Sequence, residues 1–201
     1  MTFAGIVVFG YLMGSCPWGY WLVRVFHHAD IRKLGSGSIG ASNVWRAYGP
    51  KLGVTVVLLD VLKGFVPAFV GVLAVSHLCG ILAGAAAMAG HARPIFLRFE
   101  KGGKMVATGG GVVIAIAPLV ALPLAALWIA TFALFRYPSV SSIVTAVALP
   151  FVAFAFGYPD VVVAFGAVAA AAIVYLHRGN LRRLRAGTEH RVRLRGAARL
   201  T

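Results

Sequence analysis

The chain has 201 residues, 60% of them hydrophobic and only 12% charged, against about 45–50% and about 25% in a soluble domain. These proportions exclude a disordered chain, two cysteines exclude a disulfide-stapled miniature fold, and 24 glycines without a Gly-X-Y period exclude collagen. The net charge of +14, from 19 Lys and Arg against 5 Asp and Glu, would suit a nucleic-acid partner or a membrane protein, and the positions of the bases decide between them.

Residues 3–23 form the first apolar run, interrupted only by glycines, Ser15 and Pro17. Met1, Thr2 and Phe3 supply no basic n-region, so this run does not read as a secretory signal. The second run, 52–92, carries Asp60, Lys63 and two histidines, and the fourth, 137–176, carries only Asp160. Each of these has room for two spans of roughly 20 residues. They turn at Ser76–His77 and at Tyr158–Pro159–Asp160, where Pro-Asp favours a turn. The third run, 105–135, has no charge, but Arg93, Arg98, Lys101 and Lys104 precede it and Arg136 follows it. Lys and Arg collect on the cytoplasmic side, so this run must cross an even number of times, with Pro118 and Pro123 marking the outer turn. The expectation is an all-α integral membrane protein of a single domain over 1–201. Its seven transmembrane helices fall near 3–23, 52–75, 78–92, 105–117, 120–135, 140–157 and 160–176, with a basic cytoplasmic tail over 177–201.

The bases test this topology. Arg24, Arg32, Lys33, Arg46 and Lys51 lie in the first inner loop, the group 93–104 in the second and Arg136 in the third. The tail adds Arg178, Arg182, Arg183, Arg185, Arg191, Arg193, Arg195 and Arg199. Eighteen of the 19 bases therefore share one side, and Lys63 alone sits in a span. The N-terminus is expected outside and the C-terminus inside. Most of this charge reads as orientation, with some attraction to anionic lipid headgroups. No segment resembles a DNA-reading helix, so no nucleic-acid partner is expected.

Four inner segments are more specific than topology requires. In residues 30–46, a Gly/Ser loop leads into a helix-like stretch. Backbone N–H groups around Gly35, Gly37, Ser38 and Gly40 can converge on an anion, and Asn43 and Arg46, three apart, share a helix face toward it. Gly35, Gly37 and Gly40 with Asp60 also spell a dinucleotide fingerprint, but that motif needs a preceding strand and a βαβ unit, and here membrane spans surround it. Gly102–Gly103–Lys104 stands directly before a helix start. It is not a P-loop, because Arg98 and Met105 occupy positions the P-loop reserves for Gly and Ser or Thr; its glycines and lysine still suit phosphate. Ser139, Ser141 and Ser142 open another inner helix, where serine is also a common cap. His177 and Asn180 share a face at the start of the tail, and a histidine there could orient phosphate or move a proton.

Other chemistry is missing. Asp60 and Lys63 stand i, i+3 inside a span, as an ion pair or a functional pair. His77 and His91 are too scattered for a metal site, so neither metal nor cofactor is expected. Cys16 and Cys79 are poorly placed as nucleophiles, and no Gly-x-Ser-x-Gly elbow occurs. None of the six histidines has Asp five positions later, the pattern carried by acyl-CoA-dependent glycerolipid acyltransferases, so acyl-CoA is not an expected donor.

Five blocks in order, Gly14-Ser15-x-Pro17-x-Gly19-Tyr20, Gly35-Ser36-Gly37-x-x-Gly40-Ala41-x-Asn43-x-x-Arg46, Leu59-Asp60-x-x-Lys63-Gly64, Gly102-Gly103-Lys104-x-Val106-Ala107-Thr108 and His177-x-x-Asn180-x-x-Arg183-Leu184-x-x-Gly187-x-Glu189, resemble the bacterial acyl-phosphate:glycerol-3-phosphate acyltransferase (PlsY) family over nearly the whole chain. The resemblance implies a seven-span inner-membrane enzyme with its N-terminus outside. It implies acyl transfer from acyl phosphate to the 1-hydroxyl of glycerol 3-phosphate, giving lysophosphatidic acid and phosphate, with substrate phosphate as the base and no protein nucleophile. It assigns Ser36, Lys104, His177 and Asn180 to the reacting groups and Asn43, Arg46 and Ser142, with the glycine loops, to substrate phosphate. The chain departs from the family pattern at Ser38 (usually Asn), Ser42 (usually Thr) and Met105 (usually Gly). A divergent relative acting on another phosphorylated acceptor, a small-anion transporter and a structural membrane subunit are the competing readings.

Overall fold

In lipid a backbone must satisfy its own polar groups, which favours helices. The computed structural model describes residues 2–192, and all its regular structure is helical. The helices are α1 (Phe3–Gly14), α2 (Trp18–His27), α3 (Ala41–Tyr48), α4 (Pro50–Ala74), α5 (His77–Ala92), α6 (Val106–Ile116), α7 (Pro118–Phe135), α8 (Pro138–Ala155), α9 (Asp160–Leu176) and α10 (Arg178–Arg185), with single 3-10 turns at Ile31–Lys33 and Ile95–Leu97. The tail bases Arg193, Arg195 and Arg199 lie outside the described residues.

Each expected span coincides with helix, but not all have full length. Phe3–His27, Pro50–Ala74, His77–Leu97, Pro118–Phe135 and Pro138–Ala155 are long and apolar enough to cross a membrane. Counting α9 and α10, bent by 56°, as one unit makes a sixth. The segment expected at 105–117 is α6, with 11 residues; at 1.5 Å per residue it spans about 16 Å, half of a hydrocarbon core of ~30 Å.

Two expectations need correction. The first apolar run is not one continuous helix: α1 ends at Gly14 and α2 begins at Trp18. Pro17 has no N–H to continue the ladder, and at the break the Cys16 carbonyl accepts both the Trp18 N–H at 3.1 Å and Lys63 Nζ at 2.9 Å. Pro123 does not mark the outer turn but lies inside α7; the chain turns at Ala117 (φ −150°, ψ 65°) and Pro118 opens the helix, where a missing N–H costs nothing. The turns at Ser76 and Pro159 stand where expected. Ser76 caps α5 by accepting the Cys79 N–H, and His77 Nε2 bonds the Ile116 carbonyl at 2.8 Å, tying the start of α5 to the end of α6.

Helix α4 is central and packs against α1, α5 and α6, while α8 packs between α7 and α9. The approach of α4 to α6 depends on Gly64 and Gly111, where an added Cβ would strike the Thr108 and Val61 carbonyl oxygens. Around the segment 28–40 and α3 a second core forms from Val23, Ile31, Ile39, Val44, Val56 and Leu97. Each large side chain buried there is worth about 1.5–3 kcal/mol, which anchors the otherwise polar segment 30–46 against the bundle.

Candidate active site

The loop 35–40 is built around one amide. Gly35 and Gly37 have φ of 55° and 68°, a region that costs other residues roughly 1–2 kcal/mol. The turn they make wraps around Asn43 of α3. Asn43 Oδ1 accepts the Ser36 N–H at 3.0 Å, and its Nδ2 donates to the carbonyls of Ser38 at 2.9 Å, Leu34 at 3.0 Å and Ile31 at 3.3 Å. Asn43 lines the cavity described below, but its amide is committed to holding the loop. Two of the loop N–H groups expected in the cradle are used within the loop: Gly37 N–H donates to the Leu34 carbonyl and Gly40 N–H to Ser38 Oγ. Buried backbone donors must pair, and a loop this tight supplies the partners itself. Among the loop's cavity-lining groups is Ser36 Oγ, buried and without a hydrogen-bond partner.

The second glycine pair behaves the same way. Gly102 and Gly103 are buried, do not line the cavity, and donate their N–H groups to the Ala92 and His91 carbonyls, each at 3.0 Å. Lys104 follows them directly and does line the cavity. Lys104 Nζ donates to Asn180 Oδ1 at 2.7 Å and, among the described residues, forms no ion pair. Burial pulls its pKa down to about 8; Arg46, Arg183 and Lys101 add to that shift and Glu189 opposes it. Met105, next to it, has φ 68°, which accounts for glycine being usual there. Arg32 joins the two loops, binding Asp30 in its own segment and Glu100 in the other.

Arg46, one turn beyond Asn43, is the second cation on the cavity, with no side-chain partner among the described residues. Burial lowers its pKa, and Glu189 opposes that shift. Beyond α10 the chain folds back: Val192 N–H donates to the Arg136 carbonyl and Arg191 Nε to the Phe135 carbonyl. This return carries Glu189 into the site, where it accepts from Asn180 Nδ2 at 2.6 Å, Ser139 Oγ at 2.8 Å and Arg183 Nε at 2.7 Å. Burial alone would raise the Glu189 pKa, but those three donors outweigh it and the carboxylate stays below its ordinary range. Asn180 is thereby oriented, with its NH2 toward Glu189 and its oxygen toward Lys104. His177 Nδ1 lies 2.8 Å from the Ile173 carbonyl; a carbonyl only accepts, so Nδ1 carries the hydrogen and Nε2 is the ring's free polar atom. Ser142 Oγ donates to the Pro138 carbonyl at 2.6 Å and accepts from Trp128 Nε1 at 3.3 Å.

These groups meet on one cavity of about 630 Å³, within the usual range for a ligand site. Ser36, Ser38, Gly40, Asn43, Arg46, Lys104, Ser142, His177 and Asn180 all line it; Gly35, Gly37, Gly102 and Gly103 do not. Its other walls are apolar, including Leu124, Trp128 and Phe132 of α7, Leu149 of α8 and Phe165 of α9. Glu189, Ser139, Asp60 and His91 also line it; the sequence placed Glu189 in a family block and Ser139 at a helix opening without a site role, read Asp60 as half of an ion or functional pair, and gave His91 none. The available signal for Glu189 was its standing as a carboxylate, one of five in the chain, within an arginine-rich tail. Among the described residues no group of three or more His, Cys, Asp or Glu could hold a metal ion.

Helices long and apolar enough to cross a membrane, around a cavity that Arg46 and Lys104 line together with apolar side chains, define the class as an integral membrane protein with a mixed cationic and apolar cavity. Comparison with known proteins gives that class its family. The family model described as Glycerol-3-phosphate acyltransferase matches residues 4–187. Relatives named glycerol-3-phosphate acyltransferase include those of Aquifex aeolicus (strain VF5), 43% identical over 92% of this chain and 97% of the relative, and Roseiflexus sp. (strain RS-1), 44% identical over 92% and 93%. A solved structure of PlsY (YgiH), an integral membrane glycerol 3-phosphate acyltransferase, in its glycerol 3-phosphate form superposes with a TM-score of 0.90 at 41% identity, over 95% of this chain and 96% of that one. Its lysophosphatidic acid form gives 0.87 at 39% identity, over 97% and 96%. The chain belongs to the glycerol-3-phosphate acyltransferase family and is an integral membrane acyltransferase of the PlsY kind.

Proposed function

We propose that the protein transfers an acyl group from acyl phosphate to the 1-hydroxyl of glycerol 3-phosphate, giving lysophosphatidic acid and inorganic phosphate, on the cytoplasmic face of a bacterial inner membrane. One observation carries this reading: Arg46 and Lys104, both without a carboxylate partner among the described residues, face the same cavity as the apolar walls of α7, α8 and α9. That pairing suits substrates with a phosphate at one end and an acyl chain at the other. The relatives' name supports glycerol 3-phosphate as acceptor, and the lysophosphatidic acid form of PlsY supports the product. The donor rests on the sequence resemblance and on the lack of a His with Asp five positions on.

The reaction needs little from the protein. Acyl phosphate is a mixed anhydride with an activated carbonyl. The 1-hydroxyl oxygen of glycerol 3-phosphate attacks that carbon, the carbon–oxygen bond to phosphate breaks, and the electron pair and the hydroxyl proton both pass to phosphate oxygens. Holding the two anions together can lower the barrier by about 7–11 kcal/mol. Lys104 and Arg46 offset the repulsion between the two phosphates and stabilise the departing one. Ser36 Oγ offers a donor to a substrate oxygen, and Asn180 and His177 set the geometry around Lys104. Neither cofactor nor metal enters this scheme. Seven crossings, with α6 as a half-length span, would put the N-terminus outside and the site on the inner face.

The test is a turnover assay on purified protein in lipid, following released phosphate and lysophosphatidate. Acyl phosphate with glycerol 3-phosphate is expected to give both products and acyl-CoA neither. Turnover with acyl-CoA alone, or none with acyl phosphate while a family relative is active, would overturn the reading.

A further inference from the structure

The functional scheme leaves one buried polar cluster without a task. Asp60 and Lys63 of α4 and His91 at the end of α5 are each no more than 3% exposed. Lys63 Nζ lies 2.8 Å from Asp60 Oδ1 and also donates to the Cys16 carbonyl, so one ammonium ties α4 to the α1–α2 break. Asp60 Oδ1 stands 3.8 Å from His91 Nδ1, which has no hydrogen-bond partner. Asp60 and Lys63 both belong to α4, where removing either would strand the other's charge; their link to α5 is the 3.8 Å approach of Asp60 to His91.

His91 is in turn the surface on which the Gly102–Gly103 turn rests. Its main-chain carbonyl accepts the Gly103 N–H at 3.0 Å, and the neighbouring Ala92 carbonyl accepts the Gly102 N–H at 3.0 Å. The imidazole lies flush against Gly103: a Cβ added there would come within 2.9 Å of Cδ2 and closer still to Cε1 and Nε2. A Cβ on Gly102 would strike the His91 carbonyl oxygen. Neither glycine reaches the cavity or has a free N–H, so their small size serves His91 rather than a ligand.

We infer that His91 is a positioning residue: its ring and carbonyl form the seat of the Gly102–Gly103 turn, and through that seat the buried Asp60–Lys63 pair sets where the Lys104 ammonium enters the site. The inference rests on Lys104 holding a substrate phosphate, as proposed above. A glycine wall required by a facing ring makes a specific demand: shrinking the ring must relieve enlargement of the glycine.

The experiment uses the full-length protein in lipid, with KM for glycerol 3-phosphate, kcat and thermal midpoint measured for Gly103→Ala, His91→Ala and the double variant. Gly103→Ala displaces the loop and is expected to lose about 100-fold in kcat/KM. His91→Ala loosens the seat while keeping the Asp60–Lys63 pair, and is expected to raise KM about tenfold with kcat within about threefold, at a midpoint near that of the wild type. The double variant is expected to recover at least about tenfold over Gly103→Ala, the non-additivity of residues in contact. If Gly103→Ala fails to fold, recovery of folded, active double variant supports the inference equally. A double variant no better than Gly103→Ala, or His91→Ala with wild-type KM and kcat, overturns it. A wild-type protein inactive with acyl phosphate and glycerol 3-phosphate refutes the functional reading instead, and is scored before any variant.

Discussion

Lys104 shows how one side chain's surroundings set the pH at which its charge is lost. Its pKa of about 8 comes from burial first and from the neighbouring cations second. In the free enzyme the ammonium is therefore lost as pH rises through about 8, and kcat/KM is expected to fall on that limb. Lys104→Arg keeps a cation that does not titrate in this range; its residual activity is expected to run flat to pH 10. An alkaline limb unchanged in that variant would assign the titration to another group. The stability effect has the opposite sign. Because the folded pKa lies below the ordinary value of 10.5, the unfolded chain binds the extra proton between pH 8 and 10.5, and stability from this group rises with pH across that window. The site gives up some stability to keep a charged lysine out of water, as preorganised sites commonly do. Met105 is another local cost: its left-handed backbone, φ 68°, was invisible in the sequence except as a departure from a family that usually has glycine there.

At the scale of elements, apolar runs and turn residues locate nearly every helix, because periods and breakers act locally. Ser76, Pro118 and Pro159 end or begin helices for reasons their own chemistry supplies. What was not legible depends on partners distant in sequence. Nothing near Pro17 announces that the break in the first run is held open by Lys63, 47 residues on from Cys16. That the Ser36 N–H is taken by Asn43 and the Gly103 N–H by the His91 carbonyl is something no motif spacing reveals. Helix–helix fit is equally non-local. Gly110 and Gly111 are adjacent in α6, yet a Cβ on Gly111 would collide with the Val61 carbonyl of α4 while one on Gly110 meets nothing within 4 Å. Gly111→Val is therefore expected to force α4 and α6 apart, costing about 1–3 kcal/mol or more, read as a lowered thermal midpoint and loss of monodisperse protein in detergent. Gly110→Ala is expected to leave the midpoint unchanged or slightly raised, since alanine suits a helix better than glycine. Equal damage from both would mean that α6 tolerates no change, rather than that it touches α4 through one face.

At the scale of the whole molecule, the charge that first suggested nucleic acid divides into two populations. One set flanks helices in the open, with no side-chain hydrogen bond or ion pair among the described residues: Arg24, Arg98, Arg136, Arg182 and Arg185 are exposed. Arg46 and Lys104 are drawn into the cavity, and Arg183 is spent on Glu189. The exposed set carries the proposed orientation, because moving Lys or Arg through the bilayer centre is costly and the chain threads so as to avoid it. That orientation makes opposite ends of the bundle chemically distinguishable. In a background with Cys16 and Cys79 replaced by alanine, single cysteines at Val75, exposed at the end of α4, and at Ala186, exposed just after α10, should lie on opposite sides. A membrane-impermeant maleimide applied to spheroplasts is expected to label the cysteine at position 75 at once and the one at 186 only after the membrane is opened. Labelling of both from one side would require an even number of crossings between them and would undo the count of spans. The reverse pattern would keep the count and invert the protein, placing Lys104 and Arg46 opposite the compartment in which a phosphorylated glycerol is proposed to reach them.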